Sequence, residues 1–226
     1  ATTTGANNVA VGKSALYANT TGTANVAVGA LALDANTTAA NNTALGYNAL
    51  TLNTTGAQNV GLGAYALQAN TTAAYNVGIG YNTLGATTTG QQNVAIGGEA
   101  MDANTTGAYN VAIGTSALGA NTTAASNTAV GTGALSANTT GAENTALGKN
   151  AGSSVTTGPS NTMIGYHAGI HSVATTTGSQ NVLLGAYAHG TSATGTYANV
   201  LGYNVAGATD YTTIGKDAED IRAAHG

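Results

Sequence analysis

Residues 93–109 read NVAIGGEAMDANTTGAY, and residues 110–126 read NVAIGTSALGANTTAAS. The two segments share an Asn, a strand-like Val-Ala-Ile, a Gly, an Ala-Met or Ala-Leu pair and an Asn-Thr-Thr cluster, each 17 residues after its counterpart. The same spacing runs outward in both directions. Asn recurs at Asn8, Asn25, Asn42, Asn59, Asn76, Asn93, Asn110, Asn127, Asn144 and Asn161. Four residues after each comes Gly12, Gly29, Gly46, Gly63, Gly80, Gly97, Gly114, Gly131, Gly148 and Gly165. The next members, Gly185, Gly202 and Gly215, follow at intervals of 20, 17 and 13, so the pattern is irregular from about residue 150.

Within the repeat, the residue after Asn is Val or Thr, the next is small, and the next is a large aliphatic such as Val28, Leu45, Ile79 or Ile113. Alternation with period two is the signature of a short strand. Past the Gly come Ala and then Leu or Met (Ala32-Leu33, Ala100-Met101), with another small residue two further on, which predicts a second short strand. Asn-Thr-Thr then reads as a turn. Seventeen residues are too few for a helical repeat, which needs about 30 or more. The predicted fold is therefore all-β, a β-solenoid of 17-residue coils with two strands each. The Gly column is expected at positive-φ corners where a Cβ would clash. The Asn column is expected to form an amide ladder from coil to coil.

Composition agrees with a thin, close-packed core. The 226 residues include 33 Gly and no Phe, Trp or Cys, and only 5% are charged, against about 25% in ordinary soluble domains. Four basic residues (Lys13, Lys149, Lys216, Arg222) cannot supply the clustered charge of a nucleic-acid interface. No apolar run approaches the roughly 20 residues of a membrane span, so no membrane insertion is expected.

A flat two-stranded coil cannot point all its apolar columns inward. At least one apolar stripe must run along the outside, and identical chains around a closed axis would cover it. The column holding Val28, Ile79 and Ile113 is assigned to that axis.

The Asn-Val-Ala-Val/Ile-Gly strand followed by Ala-Leu resembles the head repeats of trimeric autotransporter adhesins of the YadA type, and the 17-residue form with Asn-Thr-Thr resembles repeats of phage tail-fibre proteins. The resemblance covers roughly residues 1–215. It implies a left-handed parallel β-roll, a homotrimeric fibre, and a virion or extracellular, cell-surface location. Residues 210–226 hold half of the acids and half of the bases. They resemble the stretch preceding the self-cleaving intramolecular chaperone of many phage fibres, with the chaperone absent. The chain is accordingly divided into a β-roll shaft, 1–209, and a capping or junction segment, 210–226. The function expected is a structural fibre shaft supporting host attachment. The alternatives are a bacterial adhesin head that binds host matrix or glycans, and an ice-binding β-solenoid.

Candidate chemistry is sparse, and no enzyme activity or cofactor is expected. Asp34 and Asp102 share a column four coils apart, about 19 Å by strand spacing, which is too far for paired-carboxylate catalysis. Glu99, Glu143, Asp210, Asp217, Glu219 and Asp220 suggest no acid–base pair. His167, His171 and His189 fall in the irregular region, where they read as exposed loop residues rather than metal ligands. The recurring Gly are corners, because no helix follows them to make a phosphate loop. The Asn-Thr-Thr triplets are formal N-glycosylation sequons, but the same residues are needed as turn formers. Adjacent Thr at a corner do not make the flat Thr-x-Thr face of an ice binder. Tyrosine is the residue left for contact. Tyr47, Tyr65, Tyr75, Tyr81 and Tyr109 occupy variable, solvent-facing columns beside Asn and Gln, and are the candidate glycan contacts.

Overall fold

The structure is a computed structural model that describes residues 4–170, 174–216 and 219–224, with the backbone alone at 216, 219, 220 and 222. The chain forms two compact units, residues 1–110 and 111–226. The first holds strands β1 (Val9–Val11), β2 (Val26–Val28), β3 (Thr43–Leu45), β4 (Val60–Leu62), β5 (Val77–Ile79) and β6 (Val94–Ile96). Each pairs in parallel with the next, 17 residues on, Val beside Val or Thr and Ala beside Ala or Gly.

The second unit continues the rule with β7 (Val111–Ile113), β8 (Thr128–Val130), β9 (Thr145–Leu147), β10 (Thr162–Ile164) and β11 (Val182–Leu184). It then departs from it. β12 (His189–Gly190) and β14 (Ala206–Gly207) form a small second sheet, and β13 (Asn199–Tyr203) pairs in parallel with both β11 and β15 (Tyr211–Lys216). β16 (Glu219–Ala224) turns back antiparallel on β15. Each unit is thus a β-solenoid of stacked coils, with no helix among the described residues.

The second strand of each coil is corrected by the structure. Where two strands were predicted, the Ala-Leu flank is a turn, and strand pairing appears there only between β12 and β14. The reason lies in the backbone. Leu33, Leu50, Leu67, Leu84, Met101, Leu118 and Leu135 all sit at φ 51–54°, a left-handed conformation that no continuous strand tolerates. The flank still stacks, because Leu33 N–H donates to Ala49 O at 3.1 Å and Ala35 N–H to Thr51 O at 3.0 Å. His189 and Ala206 hold this position without positive φ, and there the flank straightens into strand.

The first coil is open at its strand, and each regular coil after it closes around six or so buried residues. In the second coil these are Asn25, Ala27, Ala32, Leu33, Asn36 and Ala39. The strand turns its small residue inward, and the opposite turn fills the remaining space with Leu. Burying one such Leu contributes about 1.5–3 kcal/mol.

From residue 150 the pattern swaps. Gly152 and Gly169 take the Leu column, while Met163 and Leu183 take the small column and are fully buried. A Cβ on Gly152 would meet Met163 Cε at 2.6 Å, so the long strand residue occupies the volume that the opposite Leu fills elsewhere. The irregularity in sequence is a conserved core volume redistributed across the coil.

The corner Gly has the expected conformation. Gly29 lies at φ 134°, and a Cβ there would stand 2.5 Å from Gly46 O of the next coil. The Asn ladder is present, with bonds mostly to backbone rather than amide to amide. Asn42 N–H donates to Asn25 Oδ1 at 2.9 Å, and the Nδ2 of Asn25 donates to Ala39 O at 2.8 Å. The same pair of bonds recurs at Asn8, Asn42, Asn59, Asn76 and, in the second unit, Asn144.

Candidate functional site

The first coil opens as a cavity of about 180 Å³ lined by Gly5, Asn8, Ala10, Ala15, Leu16 and Asn19, whereas the regular coils that follow are filled by their own buried side chains. Asn-Thr-Thr, read from the sequence as a turn, does bend the chain, and its Asn also forms a second internal ladder. Asn36 Nδ2 donates to Asn19 Oδ1 at 2.9 Å, Asn53 to Asn36 at 3.2 Å, and Asn70 to Asn53 at 2.7 Å. Each also reaches the carbonyl three residues on, which already accepts from the first Asn column: Ala39 O takes protons from Asn25 at 2.8 Å and Asn36 at 3.1 Å. The two columns meet on one carbonyl and tie strand to turn. Asn36, Asn53, Asn70, Asn104, Asn121 and Asn138 are fully buried, so these sequons offer no accessible amide in the folded chain. The signal available in the sequence was the column itself, since an exposed turn has no need of Asn in most coils.

The first Thr of each triplet also works inward. Thr20 Oγ1 donates to Thr37 O at 3.0 Å, and the bond repeats at Thr37, Thr54, Thr71 and Thr88. Only the second Thr (Thr38, Thr55, Thr72) faces solvent, which leaves a single outward row.

Among the described residues, no three of His, Cys, Asp or Glu gather as metal ligands. His171, Asp217 and the side chains of Glu219 and Asp220 lie outside what the structure describes. The expectation of exposed loop histidines is corrected at His189, which is 5% exposed in the Leu column with Nδ1 2.8 Å from Tyr187 O. Burial raises the Asp102 carboxyl above its ordinary range, and the charge of Glu99 adds to the rise.

Two features remain on the outside. The first is the outer face of the strand sheet, which presents the large aliphatic column. Val11, Leu45 and Ile96 are exposed in the first unit, and Ile113, Leu147, Ile164 and Leu201 in the second. The column continues onto the final hairpin, where Leu201 pairs with Ile214 and Ile214 with Ile221, which is 76% exposed.

The second feature is aromatic. In the first unit Tyr47, Tyr65 and Tyr81 stack edge to face at the corner after Gly, with centroids 5.4 and 5.8 Å apart. Tyr47 and Tyr81 are exposed and Tyr65 is half-buried between them. Tyr75 and Tyr109 are exposed too, but stand in the column before Asn, apart from this ladder. The candidate glycan residues therefore divide into a group of three and two single rings.

No helix in the described residues is long and apolar enough to cross a membrane. Comparison with protein-family models, curated proteins and solved structures gives no match.

Proposed function

We propose that the chain is the shaft of a phage tail fibre, a structural module that supports host attachment and self-associates as a homotrimer. The single observation that carries self-association is the aliphatic column on the strand face, exposed at Val11, Leu45 and Ile96 and half-buried at Val28, Leu62 and Ile79 in the first unit, and exposed at Ile113, Leu147, Ile164, Leu201, Ile214 and Ile221 in the second. An apolar stripe of this length needs cover. A second copy carries the same stripe in the same 17-residue register, so it matches residue for residue around a closed axis. The number three and the phage setting come from the resemblance of the repeat. A virion or cell-surface location follows from the same reading.

A second reading, a bacterial adhesin head contacting matrix or glycans, is favoured by the exposed tyrosine ladder at Tyr47, Tyr65 and Tyr81. The two readings share the shaft and differ in what the surface touches.

The test is native mass by light scattering. A species near three times 21.7 kDa is expected. Ile96→Asp places a charge in the stripe and is expected to abolish that species while circular dichroism stays unchanged. A folded monomer for the parent chain, or a normal trimer carrying Ile96→Asp, overturns the assignment.

A further inference from the structure

A second aromatic cluster lies in the second unit, and four observations bear on it. Tyr166, His167, Tyr187 and Tyr203 occupy the two columns that follow Gly on successive coils. Tyr187 is half-buried between Tyr166 and Tyr203, with centroids at 5.4 and 6.0 Å and ring planes at 87° and 90°. His167 leans on Tyr166 at 4.1 Å. Asn150 Nδ2 lies 3.2 Å from His167 Nε2.

The corner is also rigid beneath the rings. His167 N–H donates to Lys149 O at 3.1 Å, and Tyr187 N–H to Tyr166 O at 2.9 Å. The main chain beneath the rings is thus tied from coil to coil. Tyr166 and Tyr203 nonetheless keep 43% and 51% of their surface open to solvent.

We infer that this corner is a saccharide-binding site, with Tyr166 and Tyr203 as stacking platforms and Asn150, His167 and Lys149 as flanking polar groups. A pyranose presents C–H bonds on one face and hydroxyls around its rim. Tyrosine presents a flat apolar face and a polar tip, so it matches both. Amide and imidazole groups beside it add directional hydrogen bonds for the rim. Preorganised rings spare the ordering cost that weakens flexible sites. The Tyr187 hydroxyl is held protonated beyond its ordinary range by burial, with Tyr166 adding to the effect.

Other occupants fit less well. Two copies of the chain would meet through the aliphatic column of the strand, whereas this corner carries hydroxyl, amide and ammonium groups. A proline-rich peptide needs parallel aromatic walls with a slot between them, and perpendicular neighbours leave none. The inference extends the attachment reading and does not depend on self-association.

The experiment uses the full chain on an immobilised array of neutral, N-acetylated and sialylated oligosaccharides, with a polyproline peptide as comparison. Tyr166→Ala/Tyr203→Ala is set beside Tyr166→Phe/Tyr203→Phe, which keeps the rings. Circular dichroism and native mass are read on every sample. The expected result is binding of at least one oligosaccharide class by the parent chain, a loss of about tenfold or more in the Ala variant, and retained binding in the Phe variant. If the double Ala variant does not fold, Tyr203→Ala alone carries the comparison. No oligosaccharide bound by the parent, capture of polyproline only, or undiminished binding by the Ala variant overturns the site. A trimer that binds no sugar removes this site and leaves the shaft, whereas a monomer that binds sugar does the reverse.

Discussion

At position 87 a Thr stands where the neighbouring coils have the buried ladder Asn. Its hydroxyl accepts from Asn104 Nδ2 at 3.3 Å. One coil earlier, Asn70 Oδ1 is buried and has no hydrogen-bond donor. The same happens before Val155, where Asn138 Oδ1 is left without one. A buried acceptor without a partner costs about 1–3 kcal/mol. Thr87→Asn restores a donor to Asn70 and keeps an acceptor for Asn104, so it is expected to stabilise the fold by about 1–2 kcal/mol in chemical denaturation. The converse change, Asn59→Ala, strips Asn76 N–H and Ala73 O of bonds they now make at 2.9 and 2.8 Å. It is expected to cost about 2–4 kcal/mol. A neutral Asn59→Ala would show that these amides fill space rather than bond. The 17-residue recurrence of both Asn columns was plain in the sequence. What it could not say is that both point inward onto one carbonyl, because periodicity gives neighbours along a column and not the direction of a side chain across the coil.

Asp102 tests a different property of single residues. Its carboxyl is raised above the ordinary 3.8, first by burial and then by Glu99. The folded chain therefore binds this proton more tightly than the unfolded chain. Ionisation works against folding once the pH passes the unfolded value, and the full penalty is present above the folded one. Asp102→Asn should raise the melting temperature at pH 7. The gain should fade as the pH falls through the folded value and vanish below the unfolded one, where both carboxyls are protonated. An equal gain at pH 3 and pH 7 would assign the effect to packing instead.

At the scale of the coil, two elements compete for one core volume. In regular coils the strand offers Ala and the turn offers Leu, while around residue 160 the strand offers Met163 and the turn offers Gly152 and Gly169. Met163→Ala alone opens a cavity and should cost about 2–5 kcal/mol. Gly152→Leu alone overfills the coil and should cost about 1–3 kcal/mol. Gly152 lies at φ 61°, close to the angle its Leu counterparts adopt, so the backbone accepts the larger residue. The double variant rebuilds the regular coil, and its loss should be well below the sum of the two. Additive losses in a double-mutant cycle would refute the exchange. The Gly corner is expected to be unforgiving. Gly46→Ala puts a Cβ 2.5 Å from Gly63 O at φ 142° and should cost about 3 kcal/mol or more. The strand, the corner and the buried Ala were legible because alternation and Gly spacing are local signals. The Leu turn was not, because apolar alternation looks the same whether the backbone is extended or passes through left-handed φ, and Leu at φ near 52° runs against its own preference.

At the scale of the molecule, the chain has eight acidic and four basic residues among 226. Neither folding nor association can then rest on ion pairs. Cohesion comes from stacked hydrogen bonds and small apolar volumes repeated along each unit, and the self-association proposed above would rest on the aliphatic stripe of the strand face. The two sources respond differently to solution conditions. Charge screening acts on exposed ions over about 10 Å at 0.1 M salt, so raising NaCl from 0.1 to 0.5 M should leave the melting temperature almost unchanged. Self-association adds stability by mass action, so the melting temperature should rise with protein concentration for the parent chain. Ile96→Asp removes the stripe's continuity in the first unit and should make melting independent of concentration, with salt still without effect. A melting temperature that moves with salt but not with concentration would mean that each chain stands alone and that the exposed stripe is tolerated uncovered.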